Sequence, residues 1–129
     1  MRPLLDADAK IDAAVNIRVV WVGCQNAMGR LHRAAERVDE AIRCYDDILA
    51  LDGRGGEALD PGMLMQAWSD RGECLYEAGR HAEALASLLR AEALAEKDDG
   101  AKEILAKVRG TIAAVKAAAP SLSGMGTQG

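Results

Sequence analysis

Residues 71–86 read RGECLYEAGRHAEALA, a helix-forming stretch that nevertheless contains Gly72 and Gly79. A glycine inside a helix costs about 1 kcal/mol relative to alanine, so each of the two needs a physical reason. Within a helix, a glycine removes a side chain where a neighbouring helix approaches closely. At the end of a helix, a glycine adopts the left-handed conformation of a C-cap. The stretch therefore predicts two short antiparallel helices, with Gly72 at their contact and Gly79 in the turn.

Apolar residues recur at helical spacing through the rest of the chain, which predicts an all-α fold. Such stripes run through residues 38–49, 64–78 and 101–115. The β-branched run NIRVVWVG at 16–23 is interpreted as helix, because a lone strand would have no partner to pair with. Between Asp6 and Glu36 no clear turn is found. This region is therefore either one long helix or two shorter helices.

Composition and charge limit the classes of function that this chain can have. The chain has 129 residues, half of them hydrophobic, which suits one domain with one core. The net charge of −4 argues against a nucleic-acid partner. The three cysteines are odd in number and lack metal-binding spacing, so free thiols and no metal or other cofactor are expected. With neither a signal peptide nor a membrane-spanning run in the sequence, we expect a cytoplasmic protein without membrane insertion.

Two copies of one pattern carry a resemblance to a known family. The clearer copy consists of WSDRGECL at 68–75 followed by A-x3-L at 84–88. A weaker copy consists of QNAMGRLH at 25–32 followed by A-x3-Y at 41–45. The pattern resembles the tetratricopeptide repeat, W-x2-L-G-x2-Y followed by A-x3-F, over 34 residues. Arg71 occupies the leucine position of that pattern and is interpreted as an arginine that snorkels at the edge of the core.

The resemblance implies a short right-handed solenoid of antiparallel helix pairs with a C-terminal capping helix. The expected organisation is a single domain over 1–119 followed by a disordered tail. Its segments are an N-terminal helix or half repeat (1–21), repeat 1 (22–52), a Gly-rich loop (53–62), repeat 2 (63–97), a capping helix (99–118) and the tail (120–129). Since a stable stack usually takes about three repeats, the N-terminal helix or self-association must cover the remaining open end.

In this family the inner helices line a concave groove that holds a segment of a protein partner. Carried over by position, the groove would have a basic wall from the first copy and an acidic wall from the second. Its expected residues are Asn26, Arg30, Arg33, Ser69, Glu73, Tyr76 and Glu77. An alternative stays open, in which Arg30 and Arg33 only form ion pairs with Glu73 and Glu77, and such exposed pairs indicate no ligand.

The resemblance thus favours a non-catalytic adaptor or scaffold that binds a protein or peptide partner. A second hypothesis is a self-associating structural subunit, which makes a homo-oligomer. A third, from another class, is a thiol-dependent enzyme or redox sensor that uses Cys74 together with His81. An enzyme is disfavoured because the chain shows no ordered catalytic set of residues.

Overall fold

A computed structural model describes the backbone of residues 7–53 and 59–119, and the side chains of 17–53 and 59–119. Within these ranges the fold is all-α, as predicted. A single 3₁₀ turn, Asp99–Ala101, precedes the last helix. The five helices are α1 (Ala7–Ala34), α2 (Val38–Ala50), α3 (Pro61–Glu77), α4 (His81–Glu96) and α5 (Lys102–Ala118).

The helices form two layers. Each helix packs against the next one in the chain, and α1 with α3 and α3 with α5 are also in contact. The helices α1, α3 and α5 therefore form one layer, and α2 and α4 form the other. Short connections after α1 and α3 make α2 and α4 run antiparallel to the helices that precede them. The core lies between the layers; its fully buried large residues include Tyr45, Ile48, Leu75, Leu88, Val108 and Val115.

Two glycines set the approach of the paired helices. A Cβ atom on Gly29 would lie 2.7 Å from Cε1 of Tyr45, and one on Gly72 would lie 2.6 Å from Cγ of Leu88. Each glycine therefore accommodates a large side chain of the following helix. This confirms the close helix contact that was predicted at Gly72. In both pairs the large residue comes 16 positions after the glycine, and the two pairs are 43 positions apart. The two copies are equivalent in structure as well as in sequence.

The turns that end α1 and α3 have the same geometry. Gly79 has φ +81°, as predicted for a C-cap, and its N–H donates to the carbonyl of Tyr76 while the N–H of Arg80 donates to that of Leu75. Glu36 occupies the corresponding position after α1 with φ 62°. A left-handed backbone is unfavourable for a residue with a Cβ atom, so the first turn carries a conformational strain that the second lacks.

Some of the expected boundaries differ in the structure. The helix α1 continues through residues 21 and 22, so residues 7–21 are not a separate helix or half repeat, and the question of one helix or two is resolved in favour of one. Gly23 does not interrupt it, because a single glycine weakens a helix without ending it. The helix α3 begins at Pro61, inside the expected loop, since Asp60 caps it by accepting from the N–H of Gly62. The expected tail at 120–129 lies outside the described residues.

Arg71 joins three helices and does not snorkel into solvent. Its Nε donates to Oδ1 of Asp46 on α2 at 2.8 Å, and its Nη1 donates to Oγ of Ser87 on α4 at 2.5 Å. Ser87 is completely buried, so the guanidinium satisfies a hydroxyl that water cannot reach. The hydrogen bonds of Arg71 thus link the two layers, at a position where the family pattern has leucine.

The strained turn gives a first prediction. Replacing Glu36 with glycine should raise the free energy of unfolding by about 1 kcal/mol, because glycine adopts positive φ without the steric cost of a Cβ atom. The matched control is Gly79→Ala, which should lower it by a similar amount, since no atom lies near the added Cβ and only backbone strain acts. Urea unfolding of both variants measures the effect; a Glu36→Gly variant less stable than wild type would contradict it.

The hydrogen bond between Arg71 and Ser87 gives a second prediction. Arg71→Leu should destabilise the protein by about 1–2 kcal/mol, because the buried hydroxyl of Ser87 loses its partner. In a Ser87→Ala background the same substitution should cost clearly less, since no orphaned hydroxyl remains. A double-mutant cycle by chemical denaturation measures this coupling. An Arg71→Leu variant as stable as wild type would support the snorkelling interpretation instead.

Candidate partner-binding groove

An open groove lies where α1, α3 and α5 face the same side of the molecule. It has a volume of about 370 Å³. Side chains from α1 and α3 form one side, and small residues of α5 form the other. The lining residues are Arg33, Glu73, Tyr76, Glu77, Ala106, Lys107, Gly110, Thr111 and Ala114.

The wall formed by α5 was missed by the sequence reasoning, which treated this helix only as a cap. Val108, Ile112 and Val115 do bury the predicted apolar stripe. The opposite face of α5 is turned toward the groove and carries two alanines and a glycine, at positions 106, 110 and 114. This second face has the period of a helix and was available from the sequence, but small residues give a weak hydrophobic signal.

Arg33 forms the charged rim of the groove together with Glu77. Its Nε donates to Oε1 of Glu77 at 2.7 Å and its Nη2 to Oε2 at 2.6 Å, which is the bidentate geometry of a strong charge-assisted pair. The same hydrogen bonds raise the pKa of the Arg33 guanidinium and lower the pKa of the Glu77 carboxyl group. Both groups are therefore charged at neutral pH.

Glu73 forms ion pairs with residues of both α1 and α5. One of its oxygens lies 3.4 Å from Nη2 of Arg33 and the other 3.1 Å from Nζ of Lys107. The glutamate is thus neutralised from both sides of the groove. Because its ionic partners come from two different helices, Glu73 also helps to hold the walls at their present separation.

A buried carboxylate, Asp70, lies one helical turn before Glu73. Its pKa is raised mainly by burial, while the hydrogen bond from Gln66 at 2.9 Å and the charge of Arg30 act in the opposite direction. Arg30 lies 3.6 Å away, close enough for an ion pair but too far for a hydrogen bond. The sequence analysis did not predict the burial of this carboxylate.

The structure brings together four of the seven predicted groove residues, namely Arg33, Glu73, Tyr76 and Glu77. Ser69 is only 2 % exposed and cannot contact a partner, because its side chain faces the packed interior. Asn26 and Arg30 lie outside the groove lining, and Arg30 pairs with Asp70 rather than with either predicted glutamate. Arg33 does pair with both glutamates, as the ion-pair alternative proposed.

The geometry around Cys74 weakens the thiol hypothesis. The side chain is 1 % exposed, and burial raises the pKa of its thiol, whereas a nucleophilic cysteine needs a lowered pKa and access to substrate. The ring of His81 lies against Tyr76, with 5.8 Å between ring centroids. In the described ranges no group of three or more His, Cys, Asp or Glu residues is arranged to hold a metal ion.

Comparison with known families identifies the class of protein. The sequence profile of the tetratricopeptide repeat matches residues 26–101, more than half of the chain, and the protein belongs to this family. Comparison with curated proteins and with solved structures yields no match. Tetratricopeptide repeats generally mediate protein–protein interaction and are generally non-catalytic. Among the described helices, none has the length and apolar character needed to cross a membrane.

Burial of Cys74 gives a third prediction. In the folded protein a small alkylating reagent should modify Cys74 at least about tenfold more slowly than in the denatured chain, because reaction requires both an opening of the fold and a thiolate. Peptide mapping by mass spectrometry after timed quenching measures the rate. Equal rates in the folded and denatured protein would restore the thiol hypothesis.

Proposed function

We propose that this protein is a non-catalytic adaptor or scaffold module that binds a segment of a protein partner in the groove between α1, α3 and α5. Its family membership supports a role in protein–protein interaction. The groove is the surface on which such a segment would lie. The free thiols fit a reducing cytoplasm, where we place this role.

The observation that carries the proposal is the exposed glycine at position 110. Gly110 lies within α5 and lines the groove, and a Cβ atom added to it would meet nothing within 4 Å. At Gly29 and Gly72, the space that a Cβ atom would fill is occupied by a side chain of the next helix. Internal packing thus explains those two glycines but not Gly110, which costs about 1 kcal/mol of helix stability. A partner backbone that approaches α5 closely would use the empty space.

The walls indicate which chemistry the partner segment has. Arg33 and Lys107 already pair with Glu73 and Glu77, so a strongly charged segment would have to break existing ion pairs. Apart from Lys107 and Thr111, the α5 wall consists of alanine and glycine, and Tyr76 supplies an aromatic ring with a polar tip, a residue type frequent at binding hot spots. We infer a segment whose backbone approaches α5 at Gly110 and which places one apolar side chain against Tyr76.

A substitution that fills the groove tests the proposal. Gly110→Leu should reduce the recovery of the partner at least about tenfold in affinity capture from the native cell, because the new side chain occupies the site of the ligand. Leucine is a better helix former than glycine, so the variant should be no less stable than wild type. Quantitative mass spectrometry of the captured proteins gives the ratio.

The matched control is Ala86→Leu, which adds a side chain of the same type at an exposed position of α4, a helix that contributes nothing to the groove lining. It should capture the partner as wild type does. Equal recovery with Gly110→Leu and Ala86→Leu would contradict the groove, whereas equal loss with both would indicate a contact on another surface. A synthetic peptide from the captured partner should then bind wild type and not Gly110→Leu.

A further inference from the structure

The outward face of α1 is apolar and uncovered. Of the seven large hydrophobic residues that are exposed in the described ranges, six lie on this helix. Ile17, Val20 and Leu31 are 69 %, 62 % and 68 % exposed, although residues of this kind are normally buried. We define the outer stripe as the apolar and small residues that share this face, namely Ile17, Val20, Trp21, Cys24, Ala27, Met28 and Leu31.

The outer stripe lies on a helix that is longer than the helix with which it pairs. With 28 residues α1 is about 42 Å long, whereas α2, its partner in the pair, has 13 residues and is about 20 Å long. The buried positions Val22 and Gly29 lie in the C-terminal part of α1. The backbone of its N-terminal part therefore extends past the end of α2.

The spacing of the outer stripe is symmetric about Cys24. The other members lie three, four and seven positions to either side of it. If a second copy of α1 crosses in the antiparallel direction with a twofold axis at Cys24, each member therefore meets another member. Ile17 then opposes Leu31 of the second copy, and the two Cys24 residues oppose each other.

We propose that the outer stripe is a homodimer interface, in which the α1 helices of two copies pair antiparallel about Cys24. This pairing places the large Trp21 against the small Ala27 of the second copy, whereas an in-register parallel pairing would place tryptophan against tryptophan and alanine against alanine. It also lays the extended part of each α1 over Met28 and Leu31 of the other copy. Ile17 and Val20 of each copy are then covered, and the twofold contact closes between the two copies.

The size of the outer stripe suits a second copy. A large side chain that is half exposed offers on the order of 100 Å², so the five large residues supply more than half of the roughly 800 Å² that each partner gives to a standard interface. The outer stripe also lines a shallow apolar cavity of about 400 Å³ beside Ile17, Val20, Trp21 and Cys24. Leu31 and Met28 of the second copy would lie against this cavity.

The interface is independent of the groove. Arg33, which lines the groove, projects from a different side of α1 and points toward Glu77 on α3. Both surfaces can therefore be occupied at the same time, and the dimer can fail without affecting the proposed partner binding.

Charge substitution on the outer stripe tests the dimer in the full chain. Sedimentation velocity over a concentration series should show wild type converting from monomer to dimer. Val20→Glu should raise the dissociation constant at least about 30-fold, because it places an unpaired carboxylate in the interface. The matched control is Leu89→Glu, since Leu89 is an exposed apolar residue of α4 outside the outer stripe, and this variant should dimerise as wild type does.

Engineered cysteines test the direction of pairing. In a Cys24→Ser background, Ile17→Cys and Leu31→Cys chains should form mixed disulfides with each other on mild oxidation and few disulfides with themselves. The reverse result would show parallel pairing and overturn the antiparallel interface. In the wild type, alkylation of Cys24 should slow as the protein concentration rises.

Three results would overturn the proposal. One is a wild type that stays monomeric up to millimolar concentration, which would leave the outer stripe to a further helix or to another protein. Another is a dimer that Val20→Glu leaves intact. The third is equal loss of the dimer in Val20→Glu and Leu89→Glu, with circular dichroism showing that both variants are folded. None of these results bears on the Gly110→Leu experiment.

Discussion

The contact between a glycine of one helix and a large side chain of the next determines the geometry of this protein. Gly29 accommodates the ring of Tyr45, and Gly72 accommodates Leu88. Any larger residue at either position would separate the paired helices, because protein interiors have no spare volume for a displaced side chain. Since both pairs use the same contact, they stack in the same way and bring α1, α3 and α5 into one layer. The groove is a consequence of this stacking.

The glycines also distinguish surfaces that the fold uses internally from surfaces that it leaves open. Gly23 and Gly110 lie within helices, and the space beside each is empty. Each position lowers helix stability without an internal contact in return. Gly110 lies in the groove, where the proposed partner segment would use the open space, whereas Gly23 lies outside the outer stripe and no contact explains it.

Ion pairs have a larger structural role here than the resemblance to a binding groove implied. Arg33, Glu73 and Lys107 join α1, α3 and α5 in a chain of charges, and Arg71 joins α2, α3 and α4. Exposed pairs contribute little to stability individually. The buried hydroxyl of Ser87 makes the Arg71 pair different, because its loss leaves a polar group without solvent. The charges that lined the predicted groove therefore mainly connect helices.

The sequence by itself determined the helices, the repeat and the roles of Gly72 and Gly79, because helical periodicity and glycine positions are local signals that need no knowledge of distant residues. It also predicted that Arg33, Glu73, Tyr76 and Glu77 lie on one surface, because their positions follow from the register of the repeat. Only the tertiary structure decided that Ser69 is buried, that Arg30 pairs with Asp70, and that α5 forms a groove wall. It also decided that the apolar face of α1 is exposed over residues 17–31. These outcomes depend on which helices meet and how far they overlap, and a stripe of apolar residues looks the same in sequence whether or not another helix covers it.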